Sequence, residues 1–147
     1  MRVLFLGDIV GSPGRYAIEQ NLKDQIVKND IAFVIANGEN AAFEGVGITK
    51  SISEILFNSG VDVITTGNHV WDQKETADYI NTENRLLRPL NLIKPSPGNG
   101  FEVYNSKNGF KVGVLNLMGN VFMKKCDDVF NVAKDFLLKK KLKRDYD

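Results

Sequence analysis

Val3-Leu4-Phe5-Leu6-Gly7-Asp8-Ile9-Val10-Gly11-Ser12-Pro13 decides the fold. Four apolar residues ended by a glycine have the pattern of a strand buried on both faces. Pro13 then opens a stretch in which Ile18, Leu22, Ile26 and Val27 fall at helical spacing, which predicts a helix packing one stripe inward. The unit returns downstream. Ile31 to Ala36 reads as a second buried strand, Thr49 to Ser59 as a helix with Ile52, Ile55 and Leu56 inward, and Val61 to Thr65 as a third strand. Strand, helix, strand, helix, strand means a parallel sheet with right-handed crossovers.

Beyond the third strand, Gln73 to Ile80 predicts a short helix, and Pro89, Pro95 and Pro97 enforce a loop from Leu86 to Gly100. Phe101 to Tyr104 and Phe110 to Leu117, with Asn108-Gly109 between them, predict a β-hairpin. A last helix is expected from Val129 to Leu142. An α/β chain that stops on a helix has a crossover without the strand it leads to, so residues 1–147 are expected to be one domain that is incomplete by itself.

Composition excludes several classes. With 43% hydrophobic and 25% charged residues, disorder, collagen and coiled coil drop out. The single cysteine, Cys126, rules out an internal disulfide. The apolar run near the start is broken by Asp8 and Gly11 and reads as neither a signal peptide nor a membrane span, so a cytoplasmic location is expected. The net charge of +1 hides an asymmetry: residues 1–83 carry 6 Lys/Arg against 12 Asp/Glu, and residues 84–147 carry 13 against 6. Part of the basic excess is the tail Lys139, Lys140, Lys141, Lys143 and Arg144, which reads as the solvated face of a helix rather than a nucleic-acid patch, because few aromatics are interleaved with it.

Ligands of parallel α/β sheets collect outside the carboxyl ends of the strands. After the first strand come Gly7-Asp8, after the second Asn37-Gly38-Glu39-Asn40, and after the third Gly67-Asn68-His69. Asp8, Glu39, Asn40 and Asn68 offer hard oxygen donors, and His69 is the only histidine in the chain. Each residue also has a plain reading. Asp8 could cap the following helix, the asparagines could occupy left-handed turn positions, and a lone histidine is more often structural than catalytic. The coincidence at three successive strand ends favours a polar site. Gly7, Gly11 and Gly14 are spaced G-x-x-x-G-x-x-G, which fails the G-x-G-x-x-G dinucleotide fingerprint, and no phosphate-loop lysine motif is present.

These residues resemble the signature blocks of the calcineurin-like metallophosphoesterases. Leu4 to Arg15, Asn37-Gly38-Glu39-Asn40-Ala41-Ala42, Gly67-Asn68-His69-Val70-Trp71-Asp72 and Arg88-Pro89-Leu90-Asn91 are similar to one branch, the YmdB-type 2′,3′-cyclic nucleotide phosphodiesterases. The resemblance implies the N-terminal half of an α/β/β/α sandwich, a mainly parallel sheet plus a β-hairpin. It implies that Asp8 and Asn40 hold one metal, that Glu39 bridges two, that Asn68 holds the second, and that His69 is the general acid. Two divalent ions, Fe, Mn or Mg, would neutralise the phosphodiester and activate water, and the imidazole would protonate the departing ribose oxygen.

The sequence departs from the wider pattern. The Asp-x-His of the first block is Asp8-Ile9-Val10 here, and the further histidines of the family's second half have no counterpart in these residues. The metal site is therefore expected to be partial, its oxygen donors suited to Mg²⁺ or Mn²⁺, and this chain alone inactive or weak. Expected partners are a small phosphoester substrate and either a complementing C-terminal half or a second copy, since uncovered strands favour association. Two other readings stay open: a non-catalytic interaction module that keeps the fold, and a metal-independent nucleotide-binding α/β module.

Overall fold

In the computed structural model, which describes all 147 residues, three apolar runs form adjacent parallel strands. They are β1 (Val3–Leu6), β2 (Phe33–Asn37) and β3 (Val63–Thr65), linked through α1 (Gly11–Lys28) and α2 (Lys50–Ser59). Val3 to Leu6 pair in register with Phe33 to Ala36, and Ile35 to Asn37 with Val63 to Thr65. Past a single-turn helix, α3 (Thr76–Tyr79), the two-residue strand β4 (Leu86–Leu87) adds to the far side of β3, giving the order β1-β2-β3-β4, all parallel. The hairpin is β5 (Phe101–Asn105) and β6 (Lys111–Leu115), antiparallel, and α4 (Val129–Lys139) follows.

Helix ends follow from local chemistry. Thr49 caps α2 by accepting from Ile52 N–H at 3.2 Å, and Gly60 closes it in the left-handed region at φ +113°. Asp128 caps α4 through Asn131 N–H at 2.8 Å.

Alternation along the strands sorts the core into two layers. Val34, Ala36, Ile64 and Leu86 face α1 and α2 and pack with Leu22, Ile52 and Leu56. Phe33, Val63 and Leu87 face the opposite way and pack against Val114 of β6, flanked by Tyr104 of β5. α4 touches the outer face of the hairpin, where Phe101 and Phe136 lie 4.6 Å apart between ring centroids. Helix, sheet, hairpin, helix is the expected α/β/β/α order. No helix is long and apolar enough to cross a membrane.

Several expectations are corrected. β1 is not buried on both faces. It is the edge strand, the hairpin packs over β2, β3 and β4, and Val3 and Phe5 are left exposed, Phe5 at 62%. Val27 (83% exposed) points away from the core at the last turn of α1, and Ile55 is also exposed, so the inward stripes are narrower than the apolar spacing suggests. α1 begins at Gly11, two residues ahead of Pro13. Gln73 to Ile80 shrinks to the one turn of α3, the 86–100 loop contains β4, and α4 stops at Lys139, so most of the basic tail is not helical. Turn chemistry holds better: Gly109 takes φ +85° inside the hairpin loop, beside Asn108.

Candidate functional site

Pairing between β1 and β2 continues beyond the strands. Ile9 N–H donates to Asn37 O at 3.0 Å and Gly11 N–H to Asn40 O at 2.9 Å. The loops after the two strands therefore run side by side, and Asn40 Nδ2 donates to Asp8 Oδ2 at 2.8 Å. Asp8 caps nothing: the residue at the start of α1 is Val10, and no side chain caps that end. Nor are Asn37, Asn40 and Asn68 left-handed turn residues, since the non-glycine positive-φ positions are Asp30, Phe122 and Lys143. Two of the plain readings thus fail on geometry.

The loop after β2 is tied to β3. Gly38 N–H donates to Thr65 O at 2.9 Å, and a β-carbon at Gly38 would meet Ile64 Cγ2 at 2.9 Å and Ile48 Cδ1 at 3.0 Å, so only glycine lets the turn lie this flat. Asn37 Oδ1 accepts from Glu39 N–H at 3.1 Å and shapes the turn that presents the carboxylate. Gly67, the first residue of the third block, lies directly against Glu39: a β-carbon there would overlap Glu39 Oε2 and come within 2.6 Å of Cδ. The 67–76 segment is then fastened to the same loop. Gln73 Nε2 donates to Val46 O at 3.0 Å, Thr76 Oγ1 donates to Ile48 O at 2.5 Å, and a β-carbon at Gly47 would stand 3.3 Å from His69 O. Asp8 with Asn40, and Glu39 with the Gly67-Asn68-His69 turn, are thus gathered on one rim of the sheet.

Two electrostatic features stand out. Glu39 Oε2 is buried without a hydrogen-bond partner, and a desolvated carboxylate oxygen left unpaired is costly unless a cation meets it. His69 Nδ1 lies 2.5 Å from Asp72 Oδ2, an arrangement that fixes the ring and turns Nε2 away from the carboxylate. No three His, Cys, Asp or Glu side chains converge on one point. The predicted donor set depends on its two amides, Asn40 and Asn68, beside the carboxylates of Asp8 and Glu39. The rim is open rather than enclosed: of the strand-end residues only Asn37 and Thr65 border a cavity, a cleft of about 470 Å³ with Phe5, Ile35 and Gly113 to Leu117.

Sequence reasoning missed several supporting residues. Asp72 stood in the third block without a role, and its spacing of three from His69 was the available signal. Asn116, at the end of β6, donates through Nδ2 to Thr66 O at 2.8 Å and to Leu87 O at 3.0 Å, bracing the third block from the hairpin. Asn91 is fully buried and clamps Met118, donating to its carbonyl at 2.7 Å and accepting from its N–H at 2.9 Å.

The model of a family described as YmdB-like protein matches residues 4–146. The 2′,3′-cyclic-nucleotide 2′-phosphodiesterase of Bacillus subtilis (strain 168) is 43% identical over 137 residues, which cover 93% of this chain and 51% of that protein. A crystal structure of a hypothetical protein from Thermus thermophilus superposes with a TM-score of 0.87 at 37% identity, over 96% of this chain and 54% of the other. A crystal structure of a novel phosphatase from Mycoplasma pneumoniae does so with a TM-score of 0.85 at 36% identity, over 95% and 51%. The chain spans about half the length of the relatives it matches. Matched along almost its whole length in sequence and in fold, the chain belongs to the YmdB-like protein family.

Proposed function

We propose that this chain carries the N-terminal part of a metal-dependent phosphoesterase site acting on 2′,3′-cyclic nucleotides or similar small phosphodiesters. The observation that carries the reading is the buried, unpartnered Oε2 of Glu39, held against Gly67 between two strand-end loops. A divalent cation is the partner that such an oxygen lacks. Asp8 and Asn40 would hold one ion, Glu39 would bridge two, and Asn68 would hold the second. The chemistry such ions supply is charge neutralisation on the phosphate and a lowered pKa for the attacking water.

The chain's own residues account for the proton. As water adds to phosphorus and a ribose oxygen leaves, His69 in its imidazolium form gives the Nε2 proton to that oxygen, while Asp72 keeps Nδ1–H and balances the charge. Asp72 is a positioning residue in this scheme, and His69 is the residue that touches the reacting atoms. The name of the Bacillus subtilis relative supports the substrate class.

The test is hydrolysis of 2′,3′-cyclic AMP with added Mn²⁺, comparing the chain with Glu39→Ala and His69→Ala. A rate above the buffer background that falls at least tenfold in each variant supports the reading. Equal rates above that background for all three contradict it.

A second reading, that the chain docks to another polypeptide, is favoured by the uncovered side of β1, where Val3 and Phe5 are exposed. A second copy or a complementing half are the two occupants. Sedimentation as a clean monomer at high concentration counts against the second copy.

A further inference from the structure

Phe43 is an exposed aromatic ring in the loop that carries Glu39 and Asn40. It follows Glu39 and Asn40 by four and three residues and is 77% exposed. It is not a loose surface residue. The guanidinium of Arg15 lies 4.4 Å from the ring centroid and covers one of its faces. Arg15 is only 5% exposed and is itself pinned, donating through one Nη to Ala41 O at 2.5 Å and through the other to Ser12 Oγ at 3.1 Å. The backbone beneath is equally fixed: Ala42 N–H donates to Gly47 O and Gly45 N–H to Ala42 O, both at 2.9 Å, with Gly45 and Gly47 at positive φ. The loop is joined to the Asp8 side through Gly11 N–H to Asn40 O.

A buried cation thus holds a ring whose other face is open to solvent. The arginine fixes the orientation of the ring and leaves the other face available for a second planar group. Three residues span at most about 11 Å, so the ring stands within a nucleotide's reach of Asn40. Every nucleobase has a π-face, and stacking on aromatic side chains is tolerant of base identity.

We propose that Phe43, preorganised by Arg15, is the stacking platform for the base of a nucleotide whose phosphate lies at the Asp8, Glu39 and Asn40 rim. This rests on the reading of that rim as a phosphoester site. It adds a consequence: nucleotides bind more tightly than phosphates without a base, with weak discrimination among bases.

The experiment is titration of the full chain, in Mg²⁺, with adenosine 3′-monophosphate, ribose 5-phosphate and inorganic phosphate, by calorimetry and by saturation-transfer NMR at the purine protons. It is run on the native chain, Phe43→Ala and Phe43→Tyr, each checked for an unchanged circular dichroism spectrum. The expected result is tighter binding of the nucleotide than of the two baseless phosphates by the native chain. Phe43→Ala weakens the nucleotide about tenfold, loses saturation transfer and leaves inorganic phosphate unchanged, whereas Phe43→Tyr keeps both signals. Equal nucleotide affinity in Phe43→Ala overturns the platform, and so does a native chain that binds phosphate and nucleotide alike. Failure of all three ligands to bind overturns the phosphoester reading as well.

Discussion

Gly67 lies against the carboxylate of Glu39 so closely that a β-carbon at Gly67 would overlap Oε2. The contact joins the loop after β2 to the loop after β3, and both the shape and the charge of the rim depend on it. Gly67→Ala must push the Glu39 carboxylate, the free end of a flexible side chain, out of place. Stability in urea should change little, and any divalent-ion stabilisation should be lost. A variant as responsive to metal as the native chain contradicts the contact.

The pairing of His69 with Asp72 predicts a tautomer. With Nδ1 held by the carboxylate, the neutral ring carries its proton on Nδ1 and leaves Nε2 bare. His69 is the only histidine, so imidazole nitrogen NMR needs no assignment by mutation. At mildly alkaline pH the native chain should show mainly the Nδ1–H form and Asp72→Ala mainly the Nε2–H form. The same tautomer in both removes Asp72 from the scheme.

Stability should decline on the alkaline side. Burial, followed by the charges of Glu83 and Glu54, pushes Tyr79 up to about 12, and burial also raises Tyr104, whose hydroxyl donates to Asn84 O at 2.6 Å. A folded state that holds these protons more firmly than the unfolded chain keeps its full advantage below the ordinary tyrosine value of 10 and loses it as pH rises from there toward 12. Urea midpoints should be level below pH 10 and fall above it, and Tyr79→Phe should flatten that limb.

On the acid side the relevant group is Glu83. Hydrogen bonds from the Arg85 side chain, at 2.9 and 2.7 Å, hold its carboxyl below the ordinary value of 4.5 against the opposing effect of burial. Arg85 is held in turn over the Phe57 ring at 3.8 Å. The contribution of Glu83 is present above 4.5 and is lost as pH falls through the lowered folded value. Glu83→Gln should therefore lose less stability than the native chain between about pH 5 and pH 3, as measured by urea unfolding.

What the sequence made legible was periodicity and adjacency. Val3 to Leu6, Ile31 to Ala36 and Val61 to Thr65 were readable as parallel strands because short apolar runs ended by glycine or polar residues have few other uses, although the second and third start two residues later, at Phe33 and Val63. Topology alone then brought Asp8, Glu39, Asn40, Asn68 and His69 to one edge. Exposure was not legible. Phe5 looks as buried as Val34 until the hairpin is seen to stop short of β1, and Val27 and Ile55 share the spacing of the core residues yet lie outside it. Roles that depend on contacts between distant segments were also hidden: the bracing by Asn116 crosses 50 positions of sequence, and the overlap of Gly67 with Glu39 arises only when two loops close on each other.

The claim that the strand-end oxygens hold a divalent cation is tested most directly by thermal unfolding with Mn²⁺ or with chelator, for the native chain and Glu39→Gln. Binding to the folded state at one hundred times Kd adds about 2.7 kcal/mol, so the native melting temperature should rise with Mn²⁺ in a concentration-dependent way and return when the metal is chelated, while Glu39→Gln stays at its chelator value throughout. A native chain whose melting temperature is indifferent to Mn²⁺, or a Glu39→Gln variant that rises with it equally, contradicts the account.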